Sequence, residues 1–299
     1  DTLLIQSLSR LLLDTFEWVT TRRGNNAFCL LEPEVQTVLL QRSWFDVFCL
    51  GMSQCAKSLS LNTLLASLNL KYQARVSHLG GGIREKKCAL INEQLFHLQC
   101  FIGECERLKI TTLEYAYMRL LALLDPDSLS HNYFVQSQTA MAHQFSTETA
   151  ESLAVAQRAL AHKDQVQSFR TLACIELKAA ALGKKSNSRR GTSYTGFDSK
   201  SPDSESSSSS SSSNTSSRDG GAVDPERMER LLLRLATLKK LNVSLMEELF
   251  FNEAIGNVQI DSIIPSIINK NSSNITDSGS ENAYDNVKKE VESANNNNN

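Results

Sequence analysis

The sequence has 299 residues, a formal net charge of −2 and 41% hydrophobic residues. This length allows one large domain or two small ones. A charge so close to zero excludes a strongly basic chain that binds nucleic acid through its overall electrostatics. No stretch approaches the roughly 18 consecutive apolar residues of a membrane helix, so we expect no membrane association. The sequence begins with Asp1 rather than Met, and we interpret it as a fragment of a longer protein.

The seven cysteines lie mostly within apolar periodic runs, and no two of them have Cys-x-x-Cys spacing. This pattern favours free thiols in a reducing compartment and predicts no bound metal. The sequence also lacks a nucleophile elbow, a Walker loop and a dinucleotide-binding glycine pattern, and its five histidines are scattered. We therefore predict no catalytic residues and no enzymatic activity.

Apolar residues in the first part of the chain recur at helical spacing. Between residues 4 and 19 they step by three and four positions, and a second run, opened by Pro33, is apolar on nearly every side through Leu50. The first pattern predicts an amphipathic helix and the second a central helix buried all round. Residues 73–82, which end in three glycines, predict one short hairpin in an otherwise all-α chain. The glycine run could instead cradle phosphate, but no Lys-Ser/Thr pair follows it.

Two segments have a composition that does not support a folded core. Residues 184–223 include eight consecutive serines, and residues 269–299 are rich in Asn. Because such segments bury too little apolar surface to offset their ordering entropy, we predict a disordered insert and a disordered tail. The folded domain then spans residues 1–268 around that insert. Thr192 and Ser201 lie in short kinase-type motifs, although a plain solvated linker explains the insert as well.

The helix predicted at 224–253, after the insert, carries apolar residues at heptad spacing. Its seam would consist of Leu231, Leu235, Leu238 and Asn242. A polar Asn at one seam position often fixes the register of paired helices, so we interpret this stripe as a dimerisation surface. The alternative is a long helix buried in its own domain, with Asn242 capping a local backbone group.

Four blocks of the sequence resemble, in the right order, the ligand-binding domain of nuclear receptors. They are Phe28 to Cys55 with Trp44-Phe45-Asp46, then Glu114-Tyr115-Ala116-Tyr117 followed by Asp125-Pro126-Asp127, then Leu233-Arg234-Leu235 with Leu249-Phe250-Phe251, and finally Ile255-Gly256-Asn257 leading to Ile260-Asp261-Ser262-Ile263-Ile264-Pro265. The last block is most similar to the testicular orphan receptors and their insect counterparts, near the retinoid X receptor branch. The resemblance covers about residues 1–183 and 224–268.

This resemblance implies a three-layer helical sandwich that belongs to an orphan transcription factor of the nucleus. It implies coactivator or corepressor helices as partners, a homodimer or a heterodimer with another nuclear receptor, and DNA contact through a zinc-bearing domain upstream. The implied mechanism is a shift in the population of positions of an activation segment. A ligand-independent helical scaffold without a transcriptional role is the alternative, and two zinc modules in the upstream sequence would decide against it.

The resemblance also suggests a coregulator groove, and this sequence departs from the family's pattern at both of its ends. Relatives carry Lys or Arg near the end of one groove helix, and here Arg22 or Arg23, beside a short insertion, could take that role, with Arg23 as our candidate. Relatives that activate strongly carry Glu in the activation helix, where this sequence has Ser266. We therefore expect weak activation, repression or a self-blocked groove. The suggested groove residues are Arg23, Val38, Gln41, Ile263, Ile264, Ile267 and Ile268.

A ligand pocket is suggested by the same resemblance and by helical spacing. Its lining would be Leu12, Phe16, Phe48, Cys49, Met52 and Cys55. Retinoid X receptors have at the position of Cys55 an Arg that pairs with an acidic ligand, so we expect a neutral lipid here. Side chains that fill the pocket entirely are the alternative. Glu114 and Arg234 lie in apolar helices, and we predict that they take part in a buried ion pair.

Overall fold

The structure is a computed structural model that describes residues 2–21, 26–142, 147–183, 226–256 and 258–274. Within these ranges the chain forms twelve α-helices. They are α1 (Thr2–Thr20), α2 (Asn26–Cys29), α3 (Pro33–Gln54), α4 (Leu61–Arg75), α5 (Gly81–Arg107), α6 (Thr112–Leu123), α7 (Pro126–Ala142), α8 (Thr147–Ala161), α9 (Lys163–Ala181), α10 (Arg227–Leu238), α11 (Val243–Ile255) and α12 (Ile260–Asn274). The predicted insert lies outside the described residues, and α12 continues past the predicted domain boundary at 268.

The central helix is α3, as its apolar sequence predicts. Pro33 occupies its first turn, where a missing backbone N–H removes no helical hydrogen bond. α3 packs against α1 and α6, and α6 packs in turn against α9. These contacts give three layers, formed by α1, by α3 with α6, and by α9, and they confirm the predicted all-α sandwich. None of the helices in the described ranges is both long and apolar enough to cross a bilayer.

Aromatic rings join α3 to α11 in the core. Phe48 and Phe251 meet edge to face with ring centroids 5.3 Å apart, and Phe45 stacks on Phe250 at 6.5 Å. All four rings are buried. Such pairs add to the free energy gained by burying the rings, so α11 is held firmly on the core.

A buried carboxylate organises the start of α6. Thr111 and Glu114 form a capping box, in which the Thr111 side chain accepts the Glu114 N–H and the Glu114 carboxylate accepts the Thr111 N–H. Arg227 of α10 donates to both oxygens of the same carboxylate, at 2.6 and 2.8 Å. Burial raises the pKa of Glu114, but the hydrogen bonds from Arg227 and Thr111 outweigh it and hold the pKa below its ordinary value.

The hairpin predicted at 73–82 is wrong. α4 continues through Arg75, a 3₁₀ turn spans Val76–His78, and the glycine run forms the start of α5. Leu68, Tyr72 and Val76, which precede the end of the turn at a spacing of four, are buried. A strand, with its period of two, would place Leu70 and Ala74 on the same face as these residues, but both are exposed, as the helix requires.

The single helix predicted at 224–253 is also wrong, because the chain turns a corner between α10 and α11. Asn242 lies at this corner as the N-cap of α11, and its side-chain oxygen accepts the N–H of Leu245 at 3.0 Å. Its own N–H donates to the side-chain oxygen of Gln94 at 2.7 Å. The alternative of a local capping role for Asn242 is therefore the observed one.

Candidate functional site

The last described helix, α12, lies against α3 and buries its apolar side chains there. The exposed fraction of these side chains is at most 7%. They are Ile260, Ile263, Ile264, Ile267 and Ile268. Their order repeats an I-x-x-I-I pattern twice, from residue 260 to 264 and from 264 to 268. Positions three and four apart share one face of a helix, so the repeat gives α12 a single continuous apolar face.

The direction of α12 follows from its contacts. Gln41 and Trp44, in the middle of α3, contact Asp261 near the start of α12. Pro265 and Asn269, further along α12, border a cleft together with Pro33, at the start of α3. The two helices therefore run in opposite directions along this trough, which we call the α3 groove and define by Pro33, Val38, Gln41 and Trp44.

Pro265 lies inside α12 and leaves a carbonyl without its helical donor. In a regular helix the N–H of residue 265 would donate to the carbonyl oxygen of Asp261, but proline has no N–H. The side-chain amide of Gln41 donates to that same oxygen at 2.9 Å. A hydrogen bond missing within α12 is thus replaced by one that ties α12 to α3.

Two carboxylates fix the N-terminal end of α12. Glu247 of α11 accepts the backbone N–H of Ile260 at 2.5 Å, and Asp261 accepts the indole N–H of Trp44 at 2.9 Å. Negative charge is favourable here because the first N–H groups of a helix lack helical partners and carry partial positive charge.

Both of these carboxyl groups have raised pKa values. Burial raises the pKa of Glu247, the N–H of Ile260 opposes the shift, and the charge of Asp261 adds to it. Burial also raises the pKa of Asp261, against the hydrogen bond from Trp44 and the positive charge of Arg42. The N-terminal end of α12 therefore lies beside two partly buried acids, and the charge of Asp261 disfavours the charged form of Glu247.

Open clefts border α12 at both ends. One, of about 640 Å³, lies between α3, the corner before α11 and the start of α12, and its walls include Asp46, Lys239 and Glu247. Another, of about 460 Å³, lies between α3, α7, α8 and the second half of α12. The helix thus occupies a trough with solvent at both ends, rather than a fully enclosed slot.

Most of the suggested groove residues lie where α3 and α12 meet, and their role in coregulator binding stays a prediction. Gln41 contacts α12 directly, Val38 is buried on α3, and the four isoleucines from Ile263 to Ile268 lie buried on α12. Ser266 is partly exposed on that helix. Arg23 lies outside the described residues, so its role stays a prediction.

The predicted pocket residues lie together in the core. Five of them are nearly inaccessible to solvent, namely Leu12, Phe16, Phe48, Cys49 and Met52, whereas Cys55 is partly exposed after the end of α3. None of the six borders the clefts described above or the smaller one beneath the connection from α11 to α12. A neutral lipid ligand therefore stays a prediction.

The predicted dimer stripe does not face outward. Leu231 and Leu238 are buried against the chain's own core, with exposed fractions of 0% and 2%, and Leu235 is partly buried. The heptad spacing at these positions reflects the amphipathic burial of α10. Large apolar side chains are exposed instead at Leu172 and Ile175 of α9 and at Leu233 of α10, all above 55%.

The two predicted ion-pair residues do not pair with each other. Glu114 pairs with Arg227, whereas Arg234 lies 3.4 Å from Glu104 of α5. The distance along the sequence gave no means to choose among the arginines of α10. The buried carboxylate itself was detectable, because an acid in an apolar helix needs a partner.

Three residues that fix the N-terminal end of α12 were not identified as site residues from the sequence. They are Trp44, Glu247 and Asp261. Trp44 and Asp261 lie in blocks that carried the family resemblance, and Glu247 stands two residues before another of them. The signal available for Asp261 was its place in the first turn of a helix, where acids are favoured. Glu247 gave no such signal, because its partner belongs to the next helix.

Comparisons with known proteins agree with this architecture. The family model described as "Ligand-binding domain of nuclear hormone receptor" matches residues 3–178. The chain is 28% identical over 271 residues to "Orphan steroid hormone receptor 2" of Strongylocentrotus purpuratus. This alignment covers 88% of this chain and 33% of that protein. It is 28% identical over 268 residues to "Nuclear receptor subfamily 2 group C member 2" of Homo sapiens, which covers 88% of this chain and 32% of that protein. The chain spans about a third of the length of these relatives.

Proposed function

Because the chain belongs to the nuclear hormone receptor family through its ligand-binding domain, we propose that it is the regulatory domain of an orphan receptor that blocks its own coregulator groove. In this proposal α12 occupies the α3 groove, where a coregulator helix would otherwise bind. The domain is then weakly activating or repressive. The observation that carries the proposal is the burial of the whole isoleucine face of α12 against α3.

The polar contacts of α12 support the same proposal. Amphipathic helices commonly bind partner proteins by placing an apolar face in a groove, with anchors at positions i, i+3 and i+4. The isoleucines of α12 have this spacing, and Gln41, Trp44 and Glu247 satisfy polar groups at the end of the helix. A segment of the chain thus has the chemistry of a bound coregulator.

Self-blocking makes the apparent affinity for coregulators depend on how often α12 leaves the groove. If α12 is docked in 99% of molecules, the apparent affinity falls roughly 100-fold below the intrinsic one. A ligand or partner can raise it only by binding better to the undocked state. Low basal activity then follows from the docking equilibrium, without any defect in the groove.

Fluorescence anisotropy with a labelled Leu-x-x-Leu-Leu coactivator peptide tests this proposal on the full chain. Ile264→Asp places a charge in the buried face of α12 and should undock it, so binding should strengthen at least tenfold. Leu70→Asp places the same charge on an exposed site of α4 and serves as the control. Equal binding by the wild-type chain and the Ile264 variant would contradict self-blocking.

We infer that the chain pairs with a second receptor chain through α9 and α10 rather than through the predicted seam. The supporting observation is the exposure of Leu172, Ile175 and Leu233 on these two neighbouring helices. Location in the nucleus and DNA contact through an upstream zinc-bearing domain are also proposals. Both rest on membership of the family alone. They are proposals because the chain spans only about a third of the length of its relatives.

A further inference from the structure

We propose that Glu247 of α11 is the acidic cap for any helix bound in the α3 groove, including a coregulator helix from another protein. This inference rests on the proposed function, since it assumes that α12 can leave the groove. It assigns a binding role to a residue outside α12. The cap would then stay in place when α12 is displaced.

The geometry at the start of α12 carries the first step. Glu247 accepts the N–H of Ile260, the first residue of α12, from a position thirteen residues earlier in the chain. A capping residue normally precedes its helix directly, as Asn242 does for α11. Here the cap comes from a neighbouring helix, so it does not depend on a covalent connection to the helix that it caps.

The second step is that Glu247 is held in place independently of α12. Its neighbours on α11, Phe250 and Phe251, pack against rings of α3. On the same helix, Glu253 pairs with Lys71 of α4 at 3.0 Å. Undocking α12 removes none of these contacts, so the carboxylate stays at the end of the groove.

The remaining groups of the groove define which helix it accepts. Gln41 and Trp44 also belong to α3 and keep their donors when α12 leaves. The indole N–H of Trp44 is buried with its ring, so an incoming helix must bring an acceptor near its start, as Asp261 does. The fitting partner is an amphipathic helix with an I-x-x-I-I face and an acidic residue in its first turn.

A peptide with the sequence of residues 258–270 is the probe, because it reproduces the helix that the groove is seen to hold. It is labelled and titrated against the full chain that carries Ile264→Asp, whose own α12 is undocked. Adding Glu247→Ala should weaken peptide binding about tenfold, as expected for a lost charge-assisted hydrogen bond. Glu247→Gln, which keeps an acceptor but loses the charge, should weaken it less.

Glu248→Ala is the matched control, because it removes a carboxylate from the next position of α11. It should leave peptide binding unchanged. Ile267→Asp gives a second undocked background if the Ile264 variant does not fold, as judged by circular dichroism.

The outcomes separate the two proposals. Tight binding that does not change with Glu247→Ala would overturn the role of Glu247 and leave self-blocking intact. If folded, undocked variants bind neither this peptide nor the coactivator peptide, the groove itself is not a helix-binding site and both proposals fail. Equal losses for Glu247→Ala and Glu248→Ala would show a general electrostatic effect and would also overturn the cap.

Discussion

Gln41 of α3 gives the carbonyl of Asp261 the hydrogen bond that Pro265 cannot give it. A proline inside a helix normally leaves an orphaned carbonyl and weakens the helix at that point. In this chain the orphaned group faces a donor on another helix at 2.9 Å. Docking therefore completes the hydrogen bonds of α12. This hydrogen bond stabilises the docked helix relative to the undocked one.

Replacing Gln41 tests this relationship. Gln41→Ala leaves the carbonyl of Asp261 without this donor, and we expect coactivator-peptide binding to strengthen about five- to tenfold as α12 undocks more often. Pro265→Ala restores the helical donor and should make Gln41 less important. Anisotropy on the two single variants and the double variant measures this coupling. An equal effect of Gln41→Ala in both backgrounds would contradict it.

The Glu114–Arg227 pair should contribute strongly to stability. Glu114 is 1% exposed, so removing its partner leaves a buried carboxylate without a counter-charge. We expect Arg227→Met to lower the free energy of unfolding by about 3–5 kcal/mol, measured by urea denaturation. Arg234→Met breaks a longer contact to the more exposed Glu104 and should lower the free energy of unfolding much less. Similar losses for both variants would contradict this ranking.

Glu114 should make the stability of the domain depend on pH in the acid range. Its folded-state pKa lies below its ordinary value, which is about 4.3 in an unfolded chain. The stabilisation is therefore complete above about pH 4.3 and is lost as the pH falls through the folded-state pKa. Urea denaturation of wild type and Glu114→Gln from pH 7 to pH 3 should show a difference that narrows only at the acid end.

Asp46 should affect the pH dependence of stability in the opposite direction to Glu114. Burial raises its pKa, against the charge of Lys239 and its hydrogen bond. A raised carboxyl pKa means that the charged group is less favourable in the folded state, so this site gains stability as the pH falls through its folded-state pKa. Asp46→Asn should therefore be tolerated best at neutral pH. A loss for this variant that grows as pH rises would contradict the assignment.

The exposed face of α9 and α10 should control association. A charged double variant, Leu172→Glu with Ile175→Glu, changes only side chains that are 58% exposed, so the fold should persist while a dimer dissociates. Light scattering after size exclusion gives the mass of each species. Leu231→Ala should instead lower stability by about 2–5 kcal/mol, because that side chain is fully buried. If the double variant still forms a dimer, the interface lies elsewhere than on α9 and α10.

Replacing Asn242 tests whether this residue caps α11 or fixes the register of paired helices. Asn242→Ala should lower the free energy of unfolding by about 1 kcal/mol through loss of the N-cap of α11. Its effect on association should be absent, because the residue ends a corner rather than extending a stripe. Thermal unfolding and light scattering on the same sample measure both properties. A change in oligomeric state without a change in stability would favour the seam.

The sequence predicted those features that depend on local apolar periodicity. The burial of α3 and the isoleucine face of α12 both follow from spacing within one helix. The hairpin prediction failed because three glycines were taken for a turn, although they stand at the start of α5. The corner at Asn242 was missed because α10 and α11 keep their apolar spacing on both sides of it.

Contacts between distant parts of the chain were beyond such reasoning. The choice of Arg227 over Arg234 as the partner of Glu114 depends on where α10 begins relative to α6. The capping of α12 by Glu247 likewise depends on how two successive helices pack, and no local pattern marks it. The resemblance to the family suggested a groove, but it could not reveal that Trp44, Glu247 and Asp261 contact one another's helices there.

The corner between α10 and α11 also bears on how this domain meets other receptors. The two helices, of 12 and 13 residues, are each only about 18–20 Å long, and residues 239–242 separate them. They cannot form the long zipper that a continuous heptad helix would offer, so the proposed association through α9 and α10 has to rely on a few exposed side chains. In the proposed pairing, the exposed side chains of Leu172, Ile175 and Leu233 would then supply the apolar contacts in place of a zipper seam.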